Sequence, residues 1–308
     1  MRVAITGATG FIGRRLVDRL LADRREVVAL TRDPVRAQAA LPAACRTVRW
    51  DPEGGGVDSA ALRDLDGIVH LAGESVAGGR WTAARKQAIR DSRVLGTRAL
   101  VRALGDVPAT GRPRALVGAS AIGIYGDRGD AELDESAPPG DDFLAQVCSA
   151  WEAATRAGAE LGIRSAIVRI GIVLGQGGGA LGRMVPLFRL GLGGRLGSGR
   201  QWMSWIHVDD LVALLARALD DAAMSGVVNG VAPRPVTNAE FTRTLAAALG
   251  RPAILPAPAF ALRLALGEMA MLLLASQRVV PRTAVARGFR FAHSDLGTAL
   301  GDVVHRHR

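Results

Sequence analysis

Gly7, Gly10 and Gly13 fall at three-residue spacing in the string TGATGFIG, directly behind the apolar run RVAI near the start of the chain. A helical pattern, FIGRRLVDRLLA, begins at Phe11. A short buried strand, a glycine turn and an amphipathic helix together form the fingerprint of a dinucleotide site. Gly7 permits the tight turn, Gly10 lets backbone approach a pyrophosphate, and Gly13 lets helix and strand pack closely. The phosphates would meet free N–H groups at the helix N-terminus. Thr9, Phe11 and Ile12 complete the expected coenzyme contact there, and a merely structural glycine turn is the competing reading.

Strands and helices alternate through the first 174 residues. Strands are read at Arg2–Thr6, Glu26–Arg32, Arg46–Trp50, Gly67–Gly73, Arg114–Ser120 and Ser165–Leu174, with helices at Phe11–Ala22, Arg85–Leu104 and 144–161. Several of these strands are apolar on both faces, which argues a parallel sheet covered by helices on both sides. The expected architecture is an α/β, Rossmann-type doubly wound sheet with a smaller C-terminal α/β domain on the substrate side. Its expected parts are a coenzyme domain over 1–174, to which about 200–230 returns, and a substrate-side region over 175–308 that includes a module at 233–308. Thr237 and Glu240 fit a capping box. The run Ala259–Ala275 is interrupted by Arg263 and Glu268 and is short of a membrane span. It reads as a buried helix that turns Leu262, Leu266, Met269 and Leu273 inward.

The 308 residues carry a formal charge of +10, almost all of the basic part arginine. The arginines are dispersed, which favours anionic small ligands over nucleic acid. No signal peptide is visible at the N-terminus. Cys45 and Cys148 are far apart, and histidines and carboxylates do not cluster at ligand spacing, so no metal is expected. The expected setting is cytoplasmic, as a monomer or homodimer, with a small-molecule substrate and no membrane partner.

The end of the second strand selects the coenzyme. An acidic residue there would accept the 2′-hydroxyl of NAD. This chain has Thr31 and Arg32, with Arg36 one turn on, and a guanidinium suits a 2′-phosphate. NADP(H) is therefore expected in preference to NAD(H), with Asp33 the opposing feature. Asp51 could touch the adenine amine or simply cap the turn DPEGG. Leu71, Ala72 and Gly73, after the fourth strand, are expected along the coenzyme.

The strings TGATGFIG, VHLAGE, SAIGIYG and WIHVDD resemble the extended short-chain dehydrogenase/reductase superfamily. HLAGESVAGGRW, IRDSRV, GDDFLAQVCSAWE, RIGIVLG and VVPRTAVARGFRF narrow the resemblance to its nucleoside-diphosphate-sugar epimerase-like group, across essentially the whole chain. The resemblance implies a nicotinamide cofactor and a Ser or Thr after the fifth strand, followed by a Tyr-x-x-x-Lys pair that moves a proton during hydride transfer. Ser120 matches the first, with Ala121 the alternative register. The pair is missing: Leu144 and Cys148 stand at its two positions. Tyr125 is the chain's single tyrosine, and Lys86, its single lysine, lies on an earlier helix. Candidates for the displaced proton chemistry are Ser120, Glu74, Tyr125 and Cys148. His207 and Asp209 read as a domain junction and a helix cap. Arg195, Arg200, Gln201, Trp202 and Trp205 bring arginines and indoles to a domain junction, where an anionic or ring-bearing substrate would dock or a structured lid would pack. Either an NADP(H)-dependent oxidoreductase or epimerase-like enzyme, or a coenzyme-binding sensor or scaffold without hydride transfer, satisfies this pattern.

Overall fold

The computed structural model describes residues 1–52 and 56–305. Its centre is an eight-stranded sheet. The chain begins with β1 (Arg2–Thr6), α1 (Phe11–Ala22), β2 (Glu26–Thr31), α2 (Pro34–Ala40), β3 (Cys45–Asp51), β4 (Gly56–Val57) and β5 (Gly67–His70). It continues through α3 (Ala83–Gly105), β6 (Ala115–Ala121), β7 (Glu132–Leu133), α4 (Phe143–Arg156), β8 (Arg164–Ile170), β9 (Ile172–Leu174) and α5 (Leu181–Arg189). Next come β10 (Trp202–Met203), β11 (Trp205–His207), α6 (Val208–Asp220), β12 (Gly226–Gly230), β13 (Val236–Thr237) and α7 (Asn238–Leu249). The last elements are α8 (Ala259–Leu266), α9 (Met271–Leu274), β14 (Arg278–Val279), α10 (Arg282–Ala286) and α11 (Leu296–His305).

The sheet order is β12-β8-β6-β5-β1-β2-β3-β4, parallel throughout except for the short β4 at one edge. The order reverses beside β1, so the C-terminal ends of β1 and β5 open a crevice at the topological switch point. Val3, Ile5, Val27, Val69, Val117 and Val168 bury one sheet face under α1 and α6. Ala4, Val28, Ile68 and Leu116 bury the other against Leu100 and Leu104 of α3. At roughly 25 cal/mol per Å² of apolar surface removed from water, this two-sided burial dominates the stabilisation.

Three sequence readings are corrected. Ser165–Leu174 is not one strand: the chain leaves the sheet at Gly171 and β9 pairs with β11 instead. A Cβ at Gly171 would lie 2.6 Å from the Ser204 carbonyl oxygen, so the departure needs glycine. The C-terminal stretch 281–300, whose pattern reads as a short strand and a final helix, holds α10 in place of the strand, and the final helix α11 begins within it. Nor is Ala259–Ala275 one inward-facing helix. Gly267, at φ +61°, ends α8, and a 3-10 turn leads to α9. Met269 is buried, Leu262 and Leu266 are half-buried, and Leu273 is exposed. Phe260 and Leu264 are 73% and 78% exposed, so much of this apolar stretch faces solvent.

Candidate functional site

The glycine turn has the backbone that its spacing predicts. Gly7 sits at φ +69°, where a side chain is strained, and a Cβ there would crowd the Leu71–Ala72 backbone at 3.0 Å. A Cβ on Gly10 would lie 3.1 Å from the Gly7 carbonyl oxygen. One on Gly13 would overlap that oxygen and lie 2.8 Å from the Ala8 Cα. The N-cap of α1, Gly10, brings no side chain, so the first N–H groups of the helix face the crevice without a cap. Phe11 packs under Gly175, Gly178 and Gly179, which fixes the loop after β9 over this turn. Thr6 braces the floor: its Oγ1 accepts the N–H groups of Leu71 and Ala72 at 3.1 Å and lies 2.7 Å from His70 Nδ1. A backbone cradle that only glycine fits, beside an uncapped helix start, suits a pyrophosphate.

At the end of β2, Arg32 and Arg36 are exposed and Thr31 is half-buried. Asp33 is committed elsewhere: its Oδ1 accepts the Arg36 N–H at 3.0 Å and caps α2. The acid that follows Arg32 in sequence is thus turned into the helix. Asp51 ends β3, and the rest of the DPEGG turn lies largely outside the described residues.

At the end of β6 lies a buried polar network. Ser120 is buried and its Oγ donates to Glu152 Oε1 at 2.8 Å. Glu152, on α4, also accepts from Arg169 Nε at 2.8 Å and Nη2 at 3.0 Å, and from Arg156. Arg169 Nη1 donates to the Tyr125 hydroxyl at 2.9 Å, which in turn donates to Asn229 Oδ1 at 2.7 Å. Tyr125 is fully buried, and burial raises its phenol pKa against the pull of Arg169. The reading of Tyr125 as a crevice-facing proton donor is therefore corrected: it is an interior strut. Cys148 is buried as well, and burial pushes its thiol up to about 11, with Arg93 opposing. Cys148 is a neutral S–H at physiological pH, not a thiolate. Leu144, beside Gly123, completes this apolar substitution of the pair.

Glu74 is different. It is half-buried just past β5, its carboxylate pairs with Arg85 at 2.9 Å, and Arg93 Nη1 donates to its carbonyl at 2.9 Å. The Arg93 guanidinium lies against Gly73 and 5.2 Å from the Trp151 ring, a half-buried cation beside Cys148 that sequence spacing did not single out. Its distance along the chain hides it: only the packing of α3 on α4 brings it there.

The arginine–tryptophan segment divides. Trp205 is fully buried, with its indole donating to the Arg234 carbonyl, so the substrate-contact reading is corrected to a core role. Gln201 is buried and donates to Leu196 and Leu273 carbonyls. Trp202 is half-buried, donates to Asp130, and lies under the Arg278 guanidinium at 4.7 Å. Arg200 is exposed. Arg195 is exposed in a groove with Thr242, Arg243, Ile254 and Pro256. Sequence spacing shows no metal cluster, yet the fold brings His207, His293 and Asp302 together.

An open, mostly parallel sheet with a glycine cradle at its switch point defines a nucleotide-binding α/β protein. Residues 3–229 match the NAD dependent epimerase/dehydratase family, and residues 257–303 match a domain of unknown function, DUF1731. The chain belongs to that epimerase/dehydratase family. It is 41% identical over 309 residues to the epimerase family protein SDR39U1 of Bos taurus, covering 99% of this chain and 100% of that protein. It is 42% identical over 307 residues to a chloroplastic SDR39U1 homologue of Arabidopsis thaliana, covering 97% of this chain and 86% of the relative. A crystal structure of human SDR39U1 (isoform 2) with NADPH superposes with a TM-score of 0.88 at 38% identity, covering 99% of this chain and all of that one. No helix among the described residues is long and apolar enough to cross a membrane.

Proposed function

We propose that the chain is an NADP(H)-dependent oxidoreductase or epimerase-like enzyme acting on a small polar substrate. The observation that carries the coenzyme preference is the end of β2: exposed Arg32 and Arg36, with the adjacent acid, Asp33, spent on the cap of α2. Guanidinium groups there favour a 2′-phosphate over a bare hydroxyl. NADPH in the human relative's structure supports the same preference. Residues 1–174 with the returning 200–230 segment hold the coenzyme, and 175–308, including the module at 233–308, faces the substrate.

Bound there, NADP(H) would supply or take up hydride. The protein's own part is proton traffic and positioning. Because the Ser120 hydroxyl donates to Glu152, its remaining lone pairs make it an acceptor for a substrate hydroxyl. Glu74, the half-exposed carboxylate of the group, is the side chain best suited to exchange a proton with substrate. Arg195, Arg200 and Trp202 supply charge and a ring face for substrate at the junction segment.

NADPH and NADH titrated by fluorescence separate the coenzymes. Arg32→Ala should weaken NADPH by about 10- to 150-fold, the value of a charged hydrogen bond of roughly 1.5–3 kcal/mol, and leave NADH nearly unchanged. Equal affinities in the wild type would remove this reading. The replacement of the proton pair by Leu144 and Cys148 favours a second reading, a coenzyme-binding sensor. Tight NADPH binding with no turnover across a panel of sugar-nucleotide, keto and hydroxy metabolites would favour that sensor.

A further inference from the structure

We propose that His207, His293 and Asp302 form a binding site for a divalent transition-metal ion of the zinc type, pinning the C-terminal helix to the coenzyme domain. One nitrogen of each imidazole and one Asp302 carboxylate oxygen lie within 4.8 Å of one another. The three come from the N-cap of α6, the loop before α11, and α11 itself. His207 is 1% exposed, and its Nε2 lies 3.2 Å from Asp302 Oδ2 outside hydrogen-bond alignment. His293 Nδ1 is also buried with no hydrogen-bond partner, 3.5 Å from Asp210 Oδ2. The two rings stack at 3.8 Å. The buried, misaligned Nε2 of His207 is poorly served by the Asp302 carboxylate and well served by a cation.

The ligand chemistry, two imidazoles and one carboxylate, suits zinc and its first-row neighbours rather than calcium or magnesium. In the arrangement inferred, each histidine ligates through Nε2 and turns Nδ1 toward an aspartate. Asp210 stands behind His293, and Asp209 Oδ2 lies 3.8 Å from His207 Nδ1. Such carboxylates orient metal-bound histidines. His207 Nδ1 now accepts the Asp209 N–H at 3.2 Å, which places its proton on Nε2. Ligation moves that proton to Nδ1, where the Asp209 carboxylate receives it as a hydrogen bond. The stacked rings, inclined at 25°, must rotate apart for both Nε2 lone pairs to converge on one ion, and water completes the fourth position.

The test uses the full, tag-free chain with His305 and His307 replaced by alanine, stripped with a chelator and titrated with Co²⁺. One saturable equivalent with the visible absorption of a four-coordinate ion, displaced by Zn²⁺, is expected. His293→Ala and Asp302→Asn should each weaken binding by about 100-fold or more, and Asp209→Asn by about 10- to 100-fold. Unaltered NADPH affinity in the variants certifies their fold. Anomalous scattering from zinc-soaked wild-type crystals locates the ion without any variant. Absence of saturable binding, an ion located elsewhere, or affinity that survives both ligand substitutions overturns the proposal and leaves a metal-free polar clasp.

Discussion

His70 is held between the Thr6 and Thr97 hydroxyls at the end of β5, 2.7 Å from one and 2.9 Å from the other. Burial pushes its pKa down to about 4 from an ordinary 6.5. As pH falls, the unfolded chain therefore takes up this proton first. Stability drops between about pH 6.5 and pH 4, and this residue adds no further loss below that. The loss amounts to roughly 3 kcal/mol at about 1.4 kcal/mol per pKa unit. Denaturant midpoints measured at pH 7 and pH 4.5 should fall together with the pH, and less steeply in His70→Asn. His207, whose pKa burial and His293 also lower, acts in the same direction and remains in both proteins. An identical slope in the variant would show that His70 is not held neutral. Such partners are hard to read from sequence. Thr6, His70 and Thr97 are far apart in the chain, and only the parallel register of β1 on β5 and the packing of α3 bring their polar atoms together. The same holds for Tyr125: its place after β6 is legible, but the burial that turns it from donor to strut comes from Arg169 and Asn229 on later strands.

The glycine turn was legible because its chemistry is local. Three glycines at three-residue spacing, a strand behind and a helix ahead determine it, and the backbone follows. Strand boundaries were less legible where a single glycine redirects the chain: Gly171 separates β8 from β9 within one apolar run. The run 259–275 hid its break at Gly267 in the same way, since apolar composition continues across it. Glycine's role within helices can be tested by contrast. Gly13 in α1 lies against the Gly7 and Ala8 backbone, with no space for a methyl group, whereas a Cβ on Gly96 in α3 would meet Pro52 at an ordinary 3.5 Å. Gly13→Ala should therefore force α1 off β1, costing about 1–3 kcal/mol or more and most of the NADPH affinity. Gly96→Ala should gain up to about 1 kcal/mol from helix propensity and leave coenzyme binding intact. Thermal unfolding and fluorescence titration read both, and equal effects at the two sites would contradict the packing argument.

At the scale of the whole chain, the C-terminal segment is woven into the rest. Ser276 and Gln277 bond to the loop after β6, and β14 pairs with β7. Ala284 enters the core under α1 and α6, with Phe289 and Phe291 packed against it. Leu296, Ala299 and Leu300 of α11 share a cluster with Trp205 and Phe241. A module boundary drawn from sequence composition is therefore not an energetic boundary, because the buried surface crosses it. Asp210 is a buried polar stitch between α6 and the C-terminal segment. It is 3% exposed on α6, and its two carboxylate oxygens accept the N–H groups of Ala292 and His293 at 2.8 and 2.9 Å. Removing it leaves two backbone donors without their charged acceptor, at about 1.5–3 kcal/mol each. Asp210→Ala should cost about 3–6 kcal/mol in total. Unfolding by calorimetry should remain one transition, because the shared core couples the module to the sheet. Hydrogen exchange should accelerate across 292–305 while the amides of β1 and β5 stay protected. A second, earlier transition confined to the C-terminal segment would mean that the module folds and melts by itself, and that the junction is weaker than its buried contacts imply.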